Sequence, residues 1–263
     1  MNISEVMCKS VLVKSGIYGV DYAVNPYTGC QHNCVYCYAV FMKKFGGHTE
    51  PWGEFVDVKI NAPTVLQKQS KGKSGRVLFS SVTDPYQPVE ESYEITRKCL
   101  QQLQNKSFFV SVLTKSALVT RDIDILQKIS CEVGITFTAL KEDIKKKFEP
   151  NSSSVKQRLE SLQTLKDADV STYAFFGPIL PVLADSEEDI TEMFAALDGL
   201  VDYVIVDKMN MYDAAWNKLK NLFEKWRPEL IHEYSAIKMN TRYPAELRKK
   251  VAKAATVPVE FCF

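Results

Sequence analysis

The sequence has no excess of either charge. Its 33 basic and 32 acidic side chains leave a net charge of +1, which excludes a global electrostatic footprint for nucleic acid or an anionic membrane. Any nucleic-acid contact must then come from a local patch. The N-terminal stretch "MNISEVMCKSVLVKSGIYGV" is interrupted by Lys9 and Lys14 and lacks both an apolar h-region and a small-residue cleavage site. A cytoplasmic protein with no membrane span is expected. There is no internal repeat and no long linker, so one domain is the simplest division. Cysteine is present, but in an odd number, seven, which argues against a disulfide framework and for thiol ligands or buried thiols. What the chain does have is 263 residues at 46% hydrophobic content, enough for the core of one large α/β domain.

From about Arg76 onward, short apolar runs alternate with helical patterns. "RVLFSS" (76–81), "SFFVSVLTKS" (107–116), "CEVGITFTAL" (131–140), "VSTYAFFGPIL" (170–180) and "VDYVIVDKM" (201–209) are rich in β-branched and aromatic residues, as strands covered on both faces should be. A sixth strand is expected at "VDYAVNP" (20–26). Between them, Ile95, Cys99, Leu100 and Leu103 share one helix face, and Val155, Leu159, Leu162 and Leu165 share another. Ser154 with Gln157 fits a capping box, and Asp185, Glu187, Glu188 and Asp189 put negative charge on the first turn of a helix closed by Gly199. Strand spacings of roughly 25 to 40 residues fit βαβ units and a parallel sheet, open or curled into a barrel. The glycine- and proline-containing segment 45–75 is expected to be mostly loop, with a short edge strand at "EFVDVKI".

The stretch "NPYTGCQHNCVYCYAV" (25–40) holds Cys30, Cys34 and Cys37 with no fourth cysteine nearby. Grouped thiolates select zinc or an iron-sulfur centre. A structural zinc takes four ligands, usually from paired knuckles, and the second knuckle is missing. His32 lies between two of the cysteines and cannot easily turn to the same metal. Cys8, Cys99, Cys131 and Cys262 remain as other donors, with Cys99 and Cys131 on a helix face and a strand where a small core residue is the plain reading. A [4Fe-4S] cubane offers another solution, since three thiolates hold three irons and leave the fourth open.

The pattern Cys30-x3-Cys34-x2-Cys37, with Tyr36 before the last cysteine, resembles the signature of the radical S-adenosylmethionine (SAM) superfamily. More narrowly, "NPYTGCQHNCVYCYA", "VTDPYQPVE" (82–90), "TKSALVTRDIDIL" (114–126), "GITFTAL" (134–140), "FEPNSSSVKQRLESLQTL" (148–165) and "GPILPVLAD" (177–185) occur in the order seen in the spore photoproduct lyase-like family. The resemblance covers about residues 20 to 210. It implies a partial (β/α)6 barrel of parallel strands over residues 1–210, carrying a [4Fe-4S] cluster on Cys30, Cys34 and Cys37, with a helical C-terminal extension over 211–263.

The same resemblance implies a radical SAM enzyme that cleaves SAM reductively to a 5′-deoxyadenosyl radical and abstracts hydrogen from a substrate, foremost a nucleic acid or modified base. It implies a reductant protein such as flavodoxin or ferredoxin. Thr83 and Asp84 match SAM-site positions, Lys115 could balance the SAM carboxylate, Thr136 offers a hydroxyl, and Tyr36 should lie beside the adenine. Each has a plainer reading: Asp84 as a turn residue before Pro85, Lys115 as a solvated strand-end lysine, Thr136 as a β-branched strand residue. In the lyases a cysteine on the loop after the second strand, helped by tyrosines, returns hydrogen to the product. Here Tyr38 is kept and Ser81 stands in the cysteine's place, and a serine O–H bond is too strong for that task. Basic runs at 145–147, 248–250 and in the loop bearing Lys68, Lys71, Lys73 and Arg76 read equally as solvated faces or as nucleic-acid contacts. The other readings are modification of a peptide or small molecule with a partner protein, and a non-catalytic iron-sulfur or zinc module.

Overall fold

The apolar runs read as strands pair with one another, and the polar, periodic stretches between them wrap the outside. A computed structural model describes residues 1–263. In chain order the strands are β1 (Asn2–Val6), β2 (Leu12–Lys14), β3 (Tyr22–Val24), β4 (Tyr27–Thr28), β5 (Phe55–Lys59), β6 (Gly75–Phe79), β7 (Phe108–Thr114), β8 (Cys131–Phe137), β9 (Ser171–Ile179), β10 (Tyr203–Lys208) and β11 (Val259–Phe261). Eight of them form one sheet in the order β11-β10-β9-β8-β7-β6-β3-β2. Every neighbouring pair from β3 to β11 is parallel, and β2 alone runs antiparallel, on β3. The six expected strands are all present, as the core of an open (β/α) barrel.

The helices between these strands bury their apolar faces on the outer side of the sheet. Leu162 and Leu165 of helix Val155–Asp167, and Ile190, Phe194 and Leu197 of helix Glu187–Leu197, are fully covered. Each such side chain contributes about 1.5–3 kcal/mol of burial. Both helix starts follow the capping logic of the sequence. Ser154 and Gln157 form a reciprocal capping box, and the Ser186 hydroxyl accepts from the Asp189 N–H at 3.0 Å.

Three elements differ from expectation. Segment 45–75 is not mostly loop: β5 is the central strand of a second sheet, β1-β5-β4, and a helix spans Ala62–Gln69. Pro63, read as a breaker, sits in that helix's first turn, where proline's missing N–H costs nothing. The N-terminal stretch, left unassigned, forms β1 and β2. The C-terminal region carries the expected helices, Asp213–Trp226, Glu229–Met239 and Tyr243–Ala254. It then returns to the sheet as β11, pairing Val206 with Phe261, so a division at 210 into barrel and helical extension is corrected. Three paired residues are too short a run for periodicity to expose. No helix is long and apolar enough to cross a membrane.

The inward face of the barrel is closed at the amino ends of its strands by polar side chains. Glu132 accepts from Arg76 Nη2 at 2.5 Å, Ser111 Oγ at 2.8 Å and Tyr203 OH at 3.1 Å. Tyr173 stacks on Tyr203 with ring centroids 5.1 Å apart. Gly134 makes room for this floor, since a Cβ there would lie 2.2 Å from the Tyr173 ring. Above it, by strand alternation, Leu78, Leu113, Phe175 and Ile205 line a partly open lumen.

Candidate active site

The three cysteines lie on the loop that leaves β4 and climbs over the carboxyl ends of β6, β7 and β8. Gly29 starts it with φ of +88°, and a side chain there would strike the Phe55 carbonyl oxygen at 2.2 Å. The loop is tied down by side-chain amides. Gln87 accepts from the Gln31 N–H at 2.9 Å and donates to the Gly29 carbonyl at 3.2 Å, while Gln31 accepts from the Val89 N–H at 2.5 Å. Val35 N–H donates to the Phe148 carbonyl at 2.9 Å, and Asn151 donates to the Gln31 carbonyl at 2.8 Å.

Cys30 and Cys34 are buried and Cys37 is half-buried. Burial pushes all three thiols up, Cys34 to about 12 against the pull of Lys115, and Cys30 well above its ordinary value as it also feels Asp84 and the other two. Lys115 and Lys218 both lower Cys37, and Trp52 contributes with an indole N–H that has no other partner. The thiols therefore share a pocket of the loop with both cations and the Asp84 and Glu149 carboxylates. No three His, Cys, Asp or Glu side chains converge tightly enough for a single metal ion. Three soft thiol donors on one short loop are the chemistry an iron-sulfur cluster would take.

The structure brings most of the expected residues together, in unequal roles. Asp84 is buried, and its carboxylate is filled by protein donors: Thr114 Oγ1 at 2.6 Å, Tyr86 N at 2.9 Å and Lys115 N at 2.8 Å. His32 Nδ1 faces it at 3.2 Å without hydrogen-bond alignment. Burial works to raise this carboxyl, but His32, the Thr114 hydroxyl and Lys115 overcome it and hold it well below the usual range. Asp84 thus ties the loop after β6 to the end of β7 and faces His32 of the cysteine loop. The Lys115 ammonium is free of any ion pair and stands 6.0 Å from the Tyr36 ring centroid. Tyr36 is buried, its hydroxyl donating to Glu149. Tyr38 is 53% exposed and donates to the Ser81 carbonyl, so the tyrosine and serine meet at the rim. Asn25 fixes Ser81, accepting from its N–H at 3.1 Å and donating to its hydroxyl at 3.3 Å. Thr83 has a buried hydroxyl with no partner. Thr136 is buried, and its carbonyl accepts from Arg158 at 2.8 Å.

Sequence reasoning missed Thr138, Glu149 and Arg158. Thr138 and Ser80 also carry buried hydroxyls with no partner. Native interiors rarely leave such groups orphaned, so at strand ends they are hydrogen-bonding groups fit for a ligand. Glu149 and Arg158 form a buried ion pair at 2.5 Å. Their signal was a charged pair inside the apolar-faced block "FEPNSSSVKQRLESL".

The comparisons with known proteins follow the same residues. The Radical SAM superfamily family matches residues 24–196, a span that opens before the cysteine loop and closes in the last turn of the helix following β9. The chain belongs to the radical SAM superfamily. It is a radical SAM enzyme whose fold repeats that of other members. An uncharacterized protein of Methanocaldococcus jannaschii is 38% identical over 193 residues, 73% of this chain and 73% of that protein. Another uncharacterized protein, ORF301 of Acidianus two-tailed virus, is 28% identical over 81% of this chain and 79% of its own length. Among solved structures, a cysteine-to-serine variant of spore photoproduct lyase aligns with a TM-score of 0.78 at 15% identity, covering 98% of this chain and 82% of that one. Streptococcus suis SuiB bound to S-adenosylmethionine aligns at 0.56 with 11% identity, over 91% of this radical SAM chain and 49% of that one.

Proposed function

We propose that this chain binds a [4Fe-4S] cluster through Cys30, Cys34 and Cys37, binds SAM against it, and abstracts hydrogen from a nucleic acid or modified base. The observation that carries the reading is the placing, at the carboxyl ends of parallel strands, of three covered thiols on one loop, an unpaired ammonium on Lys115, and orphaned hydroxyls on Ser80, Thr83 and Thr138. When bound, the cluster and SAM supply one electron and a 5′-deoxyadenosyl radical. The protein's part is to hold, aim and shield.

Lys115 is the cation for an anionic group of the cofactor, and the Ser80, Thr83 and Thr138 hydroxyls are its hydrogen-bond partners. Asp84 acts one step back, holding the Lys115 backbone and the His32 end of the cluster loop in register. Tyr36 closes the cluster side. The lumen walls Leu78, Leu113, Phe175 and Ile205 exclude water and present flat apolar surface to a substrate. A reductant protein such as flavodoxin or ferredoxin delivers the electron.

The nucleic-acid substrate is supported by fold likeness to spore photoproduct lyase complexed with dinucleoside spore photoproduct. Ser81 separates the two chemistries. With a hydroxyl in place of a thiol beside Tyr38, hydrogen return to a product radical cannot follow the lyase route at this position.

Anaerobic reconstitution with iron and sulfide, reduction, and addition of SAM should yield 5′-deoxyadenosine, and Cys34→Ala should abolish it. A protein that takes up zinc instead, or a cluster that never cleaves SAM, sinks the reading. A DNA or RNA oligonucleotide should bind with an affinity that falls as salt rises. Salt-insensitive or absent binding transfers the substrate role to a peptide or small molecule.

A further inference from the structure

The segment 148–153, between helices Glu142–Phe148 and Val155–Asp167, sits under the cluster loop like a wedge. Its backbone accepts from Val35 N–H at 2.9 Å through the Phe148 carbonyl, and Ser153 N–H donates to the Lys115 carbonyl at 3.2 Å. Its side chain Glu149 is fully buried and lies within electrostatic reach of two cations, Arg158 and Lys115. It pairs with only one of them.

Arg158 is 1% exposed and spends its whole guanidinium on this corner. Nη2 reaches Glu149 Oε2 and Ser152 Oγ, each at 2.5 Å, Nη1 reaches the Thr136 carbonyl at 2.8 Å, and Nε reaches the Ser153 carbonyl at 3.0 Å. The other carboxylate oxygen of Glu149 accepts the Tyr36 hydroxyl. Glu149 is thereby saturated, and the Lys115 ammonium is left without a partner above Tyr36. A buried carboxylate deprived of its arginine would take the nearest remaining cation, because an uncompensated charge in such a place is costly.

The geometry points to Arg158 as a positioning residue that keeps Glu149 away from Lys115, so that Lys115 stays available to an anionic group of SAM. This rests on the proposed SAM site. A second consequence is that Glu149, held by Arg158, fixes the Tyr36 ring against which the ammonium stands.

The test uses reconstituted holoenzyme, with iron content counted, the dissociation constant for SAM measured by equilibrium dialysis, and the electron paramagnetic resonance spectrum of the reduced cluster recorded with and without SAM. Arg158→Met should weaken SAM about tenfold or more at unchanged iron content and shrink the SAM-induced spectral change. Arg158→Met combined with Glu149→Gln should restore affinity to within about threefold of the parent, since the competitor for Lys115 has lost its charge. A double variant as weak as Arg158→Met overturns the inference, and Glu149→Gln alone separates it from a merely structural pair, which would lose SAM affinity when either partner is neutralised. Should Arg158→Met fail to fold, Glu149→Gln alone decides. It keeps an acceptor for Tyr36 and should bind SAM as tightly as the parent or tighter, whereas a tenfold loss overturns the proposal. If the parent enzyme itself binds no SAM, the proposed function fails. If the parent binds and the variants behave as a structural pair, only this inference fails.

Discussion

The two ends of the barrel treat their polar groups in opposite ways. At the floor, Arg76, Ser111, Glu132, Tyr173 and Tyr203 satisfy one another in a closed network. At the mouth, Lys115 has no ion pair and the Ser80, Thr83 and Thr138 hydroxyls have no protein partner. The same strands carry both sets. A fully paired network stabilises, whereas a set of orphaned groups costs stability that only a ligand recovers, so the contrast separates what holds this fold from what it is for.

Substitutions can break that contrast, and the largest effect belongs to the floor. Glu132→Ala removes the acceptor for three donors. With Arg76 38% exposed and partly rescued by water, it should lower unfolding free energy by about 2–3 kcal/mol in urea titrations. SAM affinity of the molecules that stay folded should not change. A fall in affinity larger than the fall in stability would erase the distinction. Lys115→Ala comes next: about tenfold weaker SAM binding at the mouth, with a small fall in melting temperature, because burial, which opposes this ammonium's charge, is outweighed by Cys34, Glu149 and Asp84. Thr138→Val and Ser80→Ala should each weaken SAM about threefold while leaving stability level or raising it by up to about 1 kcal/mol. A clear loss of stability in either would mean that the hydroxyl is not orphaned in solution. Ser81→Cys should be the mildest for the fold, within about 0.5 kcal/mol, as thiol and hydroxyl differ little in size at a half-buried rim. Its value is chemical: exchange of solvent deuterium into 5′-deoxyadenosine or product, altered by the thiol, would place Ser81 on the hydrogen path.

Much of this was legible beforehand, for physical reasons. The six parallel strands announce themselves because both faces are covered, making continuous apolar runs such as "FFVSVLT" and "VIV". Cys30, Cys34 and Cys37 stand out because ligand spacing is local in sequence. Residues whose roles depend on distant partners did not stand out. Asp84 matches a SAM-site position, yet its oxygens are taken by Thr114, Tyr86 and Lys115, which no spacing reveals. Arg158 reads as an ordinary helix residue until Glu149 and the Thr136 carbonyl are seen beneath it. Thr138 lies one residue past the end of β8, where strand logic gives out. β5 is legible at "EFVDVKI", but only as an edge strand, because its partner β1 lies about fifty residues away in sequence and is too short to carry a signal alone.

The return of the chain to the sheet as β11 also bears on how the molecule opens and closes. β10 would otherwise be an exposed parallel edge, a template for pairing with another chain. Its cover is three residues long and arrives only after three helices have been laid down, so a long loop closure is set against few ladder bonds at the sheet's edge. Protection against amide hydrogen exchange should therefore be lost first along β11, with β10 next and β7 to β9 last. The barrel would breathe from its seam.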